Sequence, residues 1–178
     1  PVRLLSPTLD GRVSSFLEWR GAGSIDPSPP LGAMWKASRL FGFIGFGFNC
    51  DLLFLRLDPI EEAAAGAADR HVEWHILTPQ FRHKAVFPLA ATASPDFTLF
   101  SASLEGAYAE AGRHGTMARQ KIIELAAPFK DLGLQAGTAF KMHLVVTEHG
   151  HELERYPRHH SISLTVPDRN FDAVMWRV

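Results

Sequence analysis

Four tryptophans, nine histidines and one cysteine are the side chains of this 178-residue chain on which binding or catalytic chemistry could be built. A tryptophan ring offers a flat apolar face to the C–H side of a sugar, and a nearby carboxylate can take up the sugar's hydroxyls. Glu18 stands beside Trp19, and Trp35 follows a Pro-rich stretch that favours exposure. Trp74 alternates with Val72 and Ile76, which assigns it to a core face. Packing is the simpler account of any one tryptophan. Trp35, Trp19 and Glu18 therefore stand as the candidate carbohydrate-binding residues.

His149-Gly150-His151 and His159-His160 could present imidazoles to a metal. A structural zinc site needs four ligands and a supporting shell, and the chain has neither a Cys pair nor a helical His-Glu-X-X-His. These residues read as exposed turn histidines, so neither metal nor cofactor is assigned. His71, His75 and His143 fall on the polar faces of strands. Met142 or Met34 could pair with a histidine as an axial haem ligand, although the register of Met142 is that of a core residue. Gly42, Gly45 and Gly47 lack the Gly-X-Gly-X-X-Gly pattern at a strand-to-helix junction and read as allowing aromatic strands to bend or pack closely. Neither a serine nor Cys50 lies in a nucleophile motif.

The elements that would position these groups are mostly strands. Phe140, Met142, Leu144 and Val146 alternate with Lys141, His143, Val145 and Thr147, and Ile162, Leu164 and Val166 alternate with Ser161, Ser163 and Thr165. Period-two alternation puts apolar residues on one face, as in half-buried antiparallel strands. Arg39 to Phe48 and Leu52 to Asp58 flank Asn49-Cys50-Asp51 as a hairpin. Arg82 to Leu89, Phe97 to Ala102 and Gln120 to Leu125 add further strands, with Pro88 marking an edge strand or a strand end. About eight to ten strands are expected. Helix is limited to three short candidates: one capped by Asp58-Pro59 and running to Ala65, one over Ala127 to Leu132 stopped by Gly133, and one over Ser103 to Ala111. Ser24 to Gly32 and Gly106 to Thr116 read as loops. The expected fold is all-β, an antiparallel β-sandwich of jelly-roll or immunoglobulin-like type with one to three helical turns, forming a single domain over 1–178.

Composition narrows the partners. With 18 basic against 19 acidic residues the formal net charge is -1, which recruits neither nucleic acid nor an anionic membrane. The densest apolar run, Leu40 to Phe48, falls far short of the roughly 18 to 20 residues that span a bilayer. Cys50 alone excludes an internal disulfide framework and suits a reducing compartment, so a cytoplasmic setting is expected. The chain begins at Pro1 with neither a starting methionine nor a signal pattern, the expectation being a fragment or processed product of a longer polypeptide.

Four segments, taken in order, resemble one family. Leu9-Asp10-Gly11-Arg12 through Glu18-Trp19-Arg20-Gly21-Ala22-Gly23 resembles the entry to the β-rich C-terminal region of glycoside hydrolase family 57 enzymes. The hairpin from Arg39 to Asp58 is similar to the aromatic hairpin of that region. Gln120 to Gly133 with Gln135-Ala136-Gly137-Thr138 is similar to its strand, helical turn and Gly turn, and Glu152 to Asp168 with Phe171 to Trp176 is similar to its ending. More distantly, the chain resembles DOMON and family 9 carbohydrate-module sandwiches, which implies as the alternative an independent carbohydrate- or haem-binding β-sandwich module. The resemblance implies a non-catalytic accessory sandwich of an α-amylase-like glycoside hydrolase acting on α-glucans. Its implied partners are the upstream catalytic barrel of the same polypeptide and an α-glucan. Family 57 enzymes are retaining, and retaining chemistry needs two carboxylates about 5 to 5.5 Å apart. In that family these belong to the barrel, and no residue here matches either motif, so no catalytic residue is assigned.

Overall fold

The computed structural model describes residues 1–13, 15, 17–28, 40–60, 69–90, 97–112 and 115–175. Among these the chain forms twelve strands: β1 (Gly23–Ile25), β2 (Phe41–Phe48), β3 (Leu52–Pro59), β4 (Arg70–Leu77), β5 (Phe81–Pro88), β6 (Thr98–Ser103), β7 (Ala109–Gly112), β8 (Thr116–Arg119), β9 (Ile123–Pro128), β10 (Ala139–Glu148), β11 (His151–Tyr156) and β12 (Ile162–Thr165). They build an all-β sandwich of two antiparallel sheets, ordered β1-β2-β3-β9-β8 and β11-β10-β4-β5-β6-β7. The outer edge of β10 is shared: β12 pairs with Ala139 to Met142, and β11 with Leu144 to Glu148.

Alternation and register together place the core. Leu144, Trp74, Ala85 and Leu99 form one inward row across four strands, with Val146, Val72 and Phe87 in the next. They pack against Ile44, Phe46 and Phe48 of β2 and Leu53, Leu55 and Leu57 of β3. Burying each such side chain contributes on the order of 1.5 to 3 kcal/mol, which is why the pattern dictates the layering. The row Met142, Ile76, His83 and Ser101 ends in polar groups, where His83 Nδ1 lies 2.7 Å from Ser101 Oγ. Burial holds the His83 imidazole below the usual histidine pKa. Arg119 of β8 crosses to the other sheet and donates to the Pro88 and Ala90 carbonyls, clasping the two sheets together.

Several sequence expectations are corrected. Ser103 to Ala111 is not helical: Ser103 ends β6 and Ala109–Gly112 is the edge strand β7, whose Glu110 pairs with Phe100. A helix that short gains one hydrogen bond per residue only after a costly first turn, whereas the edge of β6 offers backbone partners at once. Asp58 and Pro59 do not start a helix but complete β3, and the rest of that candidate lies mostly outside the described residues. The span read as a loop before Thr116 contains β7, and β8 follows it. The strand expected from Gln120 begins at Ile123, after a turn. The turn expected before Gly133 is present as a 3-10 turn, Phe129–Leu132, capped by Gly133 at φ 66°. A five-residue helix, α1 (Phe171–Met175), follows β12.

The N-terminal segment adds a partial third layer over the outer face of the five-stranded sheet. Leu5 N–H donates to the Phe48 carbonyl, and Val2 N–H donates to that of Gly21. Leu5, Trp19, Phe54 and Ala126 form a small second core beneath this strap. Gly47, outward on β2, makes room for it, since a Cβ there would stand 2.2 Å from Leu5 Cδ1, whereas one on Gly45 would first meet the Phe43 ring, 2.6 Å from its Cε1. Gly47 therefore serves the close approach of the strap, and Gly45 the close packing of the aromatic Phe43 ring over its own strand.

Candidate functional site

Three groups of chemistry-bearing residues can be built up from these elements. The first lies at the edge of the strap. Asp10 and Gly11 turn the chain so that both backbone N–H groups donate to Glu124 Oε2, at 3.1 and 2.9 Å. Trp19 Nε1 donates to Glu124 Oε1 at 3.0 Å. Glu124 is fully buried in an otherwise apolar stretch of β9, and three donors meet an acceptor that would be very costly to leave bare. Burial pushes the Glu124 carboxyl above the usual carboxylate pKa, while the N–H donors oppose that shift. Gly11 holds φ 73°, and a Cβ there would meet the Gln120 backbone nitrogen at 2.4 Å.

Beside this lock opens a cleft of about 460 Å³ lined by Val13, Trp19, Arg20, Ser24, Phe43 and Arg56 among others. Arg56 and Asp58 are two apart on β3 and so share a face. The Arg56 guanidinium grips Asp58 in two parallel bonds of 2.7 and 2.8 Å and lies 5.4 Å over the Phe43 ring. This pairing, rather than any distant group, is the main force raising the Arg56 pKa. The fork is only 12% and 26% exposed, so its remaining donor and acceptor positions are held in place. Glu18 is half-buried and near enough for its charge to act on Arg56. Val13, on the cleft wall, and Leu17 are 55% and 61% exposed.

The structure thus draws two of the three sequence candidates to one place. Trp19 lines the cleft, but at 7% exposure its ring serves mainly as wall and its N–H is already engaged. Glu18 is nearby, whereas Trp35 lies outside the described residues. Phe43, Arg56, Asp58 and Glu124 were missed by sequence reasoning. Arg56-Leu57-Asp58 was legible as a same-face ion pair, and a lone acid within Ile122 to Ala127 was legible as a buried polar group needing partners.

The second group covers the outer face of the seven-stranded sheet. His143 and His75 are register partners on β10 and β4, and their rings stack at 4.7 Å with an interplanar angle of 5°. His75 Nε2–H donates to Glu73 Oε2 at 2.8 Å, and Lys84 Nζ donates to Glu73 Oε1 at 3.0 Å. The hydrogen bond from His75, reinforced by Lys84, lowers the Glu73 carboxyl to about 2. Ser161 Oγ lies 3.2 Å from His143 Nδ1. Lys84 sits 5.1 Å from the Tyr108 ring centroid and 5.8 Å from that of Phe100. A nucleophile, base and acid relay requires the acid on the base's second nitrogen. Here Glu73 is bound to His75 and Lys84, so Ser161 and His143 lack that third member among the described residues.

The third group lines a cleft of about 610 Å³ where the β2-β3 turn meets the 3-10 turn. Its apolar floor is Phe129, Leu134 and Val166, with Cys50 on the wall. Its charged groups, Asp51 and Lys130, are exposed and not fixed by a fork like that of Arg56 and Asp58.

His149, His151, His159 and His160 are exposed, and no set of three His, Cys, Asp or Glu side chains comes together for a metal among the described residues. Met142, 1% exposed, is part of the core. No helix among the described residues is long and apolar enough to cross a membrane. No protein-family model matches the chain, and no curated protein sequence matches it.

Proposed function

We propose that this sandwich is a non-catalytic accessory domain of a glycoside hydrolase family 57-like protein, packing beside the catalytic barrel of the same polypeptide and helping to position an α-glucan. The observation that carries the reading is the cleft in which Trp19 and Phe43 meet Arg56, whose guanidinium is fixed by Asp58. Apolar ring surface suits the C–H face of a pyranose, and a preorganised guanidinium suits its hydroxyls. A second support is that two of the family-like segments interlock: Ile122 N–H donates to the Gly11 carbonyl, and Arg12 Nε donates to Gln120 Oε1 at 2.7 Å. The exposed Val13 and Leu17 suit packing against a neighbouring protein surface.

Titration with a short linear α-glucan, followed by amide NMR shifts, tests the binding role. Shifts should gather at Ser24, Phe43 and Arg56, and Arg56→Gln should weaken binding at least tenfold while leaving the fold intact. Binding indifferent to Arg56, or none at millimolar sugar, rejects this cleft as a glucan site. Hydrolysis of the glucan by this chain alone rejects the non-catalytic assignment. A cytoplasmic location belongs to the same proposal, and so does the upstream barrel, which sequencing of the reading frame before Pro1 would reveal or dismiss.

A further inference from the structure

The cleft beside the strap is assembled from two parts of the chain. Residues 19–22 of the strap and Ser24 of β1 form one side, while Phe43 and Arg56 stand on the sheet. Register places Ser24, Gly45, Arg56 and Glu124 in a single row across β1, β2, β3 and β9. Arg56 and Glu124 are thus opposite charges on directly facing residues, an arrangement that ordinarily pairs across strands. Arg56 instead forks along its own strand to Asp58, and Glu124 takes the N–H groups of Asp10, Gly11 and Trp19. Between Ser24 and Arg56 the row holds Gly45. A Cβ there would stand 2.6 Å from Phe43 Cε1 and 3.6 Å from Trp19 Cε3, so both rings lie over a residue with no side chain.

We infer that Glu124 is the positioning residue of this cleft: by accepting the strap's three N–H groups it holds Trp19 as a wall and leaves Arg56 turned toward Asp58 and the ligand. The inference rests on the glucan reading of the cleft and extends it to a residue outside the cleft lining, which acts only through Trp19 and Arg56. The division of labour within the carboxylate carries the argument. Oε1 serves the indole at 3.0 Å, and Oε2 serves the Asp10 and Gly11 N–H groups at 3.1 and 2.9 Å. Both oxygens of a carboxylate accept, whereas a glutamine amide offers one accepting oxygen and a nitrogen that only donates. Glu124→Gln therefore keeps the shape of the side chain but satisfies either the turn or the indole, and an N–H facing the amide nitrogen is left unmade. The turn holds two donors to the indole's one, so the oxygen stays with the turn and the Trp19 wall is released.

NMR of the whole chain, with and without a short linear α-glucan, tests this. In Glu124→Gln the Trp19 indole N–H resonance should move, the NOE between Trp19 Hε3 and the Gly45 α-protons should fall at least twofold, and the glucan Kd should rise at least fivefold. Val72→Ala, which destabilises the core through the other sheet, should leave the NOE and the Kd as they are. An equal loss of affinity in Val72→Ala shows that stability alone is being read, and overturns the inference. An unmoved Trp19 in Glu124→Gln overturns it too, as does a displaced Trp19 with unchanged affinity. If the wild type binds no glucan, the glucan reading fails by itself, and the ligand-free NOE still decides whether Glu124 sets the wall. Should Glu124→Gln fail to fold, Gly11→Ala is read in the same way, since its Cβ would meet the Gln120 backbone nitrogen at 2.4 Å and unseat the Glu124 donors from outside the cleft.

Discussion

Among the described residues, the outer face of the five-stranded sheet is packed by the chain's own N-terminal segment, whereas that of the seven-stranded sheet carries a network of half-buried polar side chains. Under the strap, polar chemistry is concentrated in one fully buried carboxylate, Glu124, with glycines at positions 45 and 47 keeping the floor flat. On the opposite face it is spread over Glu73, His75, Lys84, His143 and Ser161, all half-buried. The difference teaches where energy is localised. A buried acceptor serving three donors cannot be replaced by water, but a half-exposed ion network can exchange each partner for solvent.

Removing the single acceptor should have the largest effect. Glu124→Ala strands three donors, and since each buried orphan costs on the order of 1 to 3 kcal/mol, a loss of about 3 kcal/mol in urea unfolding is expected. Gly47→Val comes next: overpacking against Leu5 should cost about 2 kcal/mol and displace the strap, seen as a shifted Trp19 indole N–H resonance. Glu73→Ala, on the other face, should cost only about 1 kcal/mol, because Lys84 and His75 can turn to water. A loss from Glu73→Ala as large as that from Glu124→Ala would erase the distinction between the faces.

The smallest effect at neutral pH belongs to His143→Gln, within about 0.5 kcal/mol of wild type, as is usual for a change that breaks no buried bond network. Acid separates the faces instead. Wild-type stability should decline as the pH falls from about 6.5 toward 4, where His143 gains its proton, and again toward 2, as Glu73 is neutralised. Glu124 works the other way, since its upward shift means that ionisation costs stability and protonation relieves that cost. A flat stability curve from pH 7 to 4 would contradict the balance drawn between the two faces.

Legibility in the sequence followed the strength of the local pattern. β4, β10 and the β2-β3 hairpin were readable because long alternation fixes which residues a sheet must bury. β7 and β8 were not, being four-residue edge strands, Ala-Glu-Ala-Gly and Thr-Met-Ala-Arg, too short and too poor in β-branched and aromatic residues to carry a strand signal. At the site, the sequence pointed to Trp19 and Glu18, but Arg56, held by Asp58, comes from β3 and meets Trp19 in one cleft only because the strap crosses that sheet. Glu124 is separated from Gly11 by 113 residues, so its partners could not be named from any local rule.

By itself the sequence determined an all-β chain, the inward faces of its main strands and the exposed placement of its terminal histidine pairs, because backbone alternation and burial are local constraints. Only the tertiary structure decided that Gly47 of β2 lies under a strap, that Trp19 is spent on Glu124, and that His75 meets His143. Those outcomes depend on strand order and register, which bring together residues that no spacing along the chain relates.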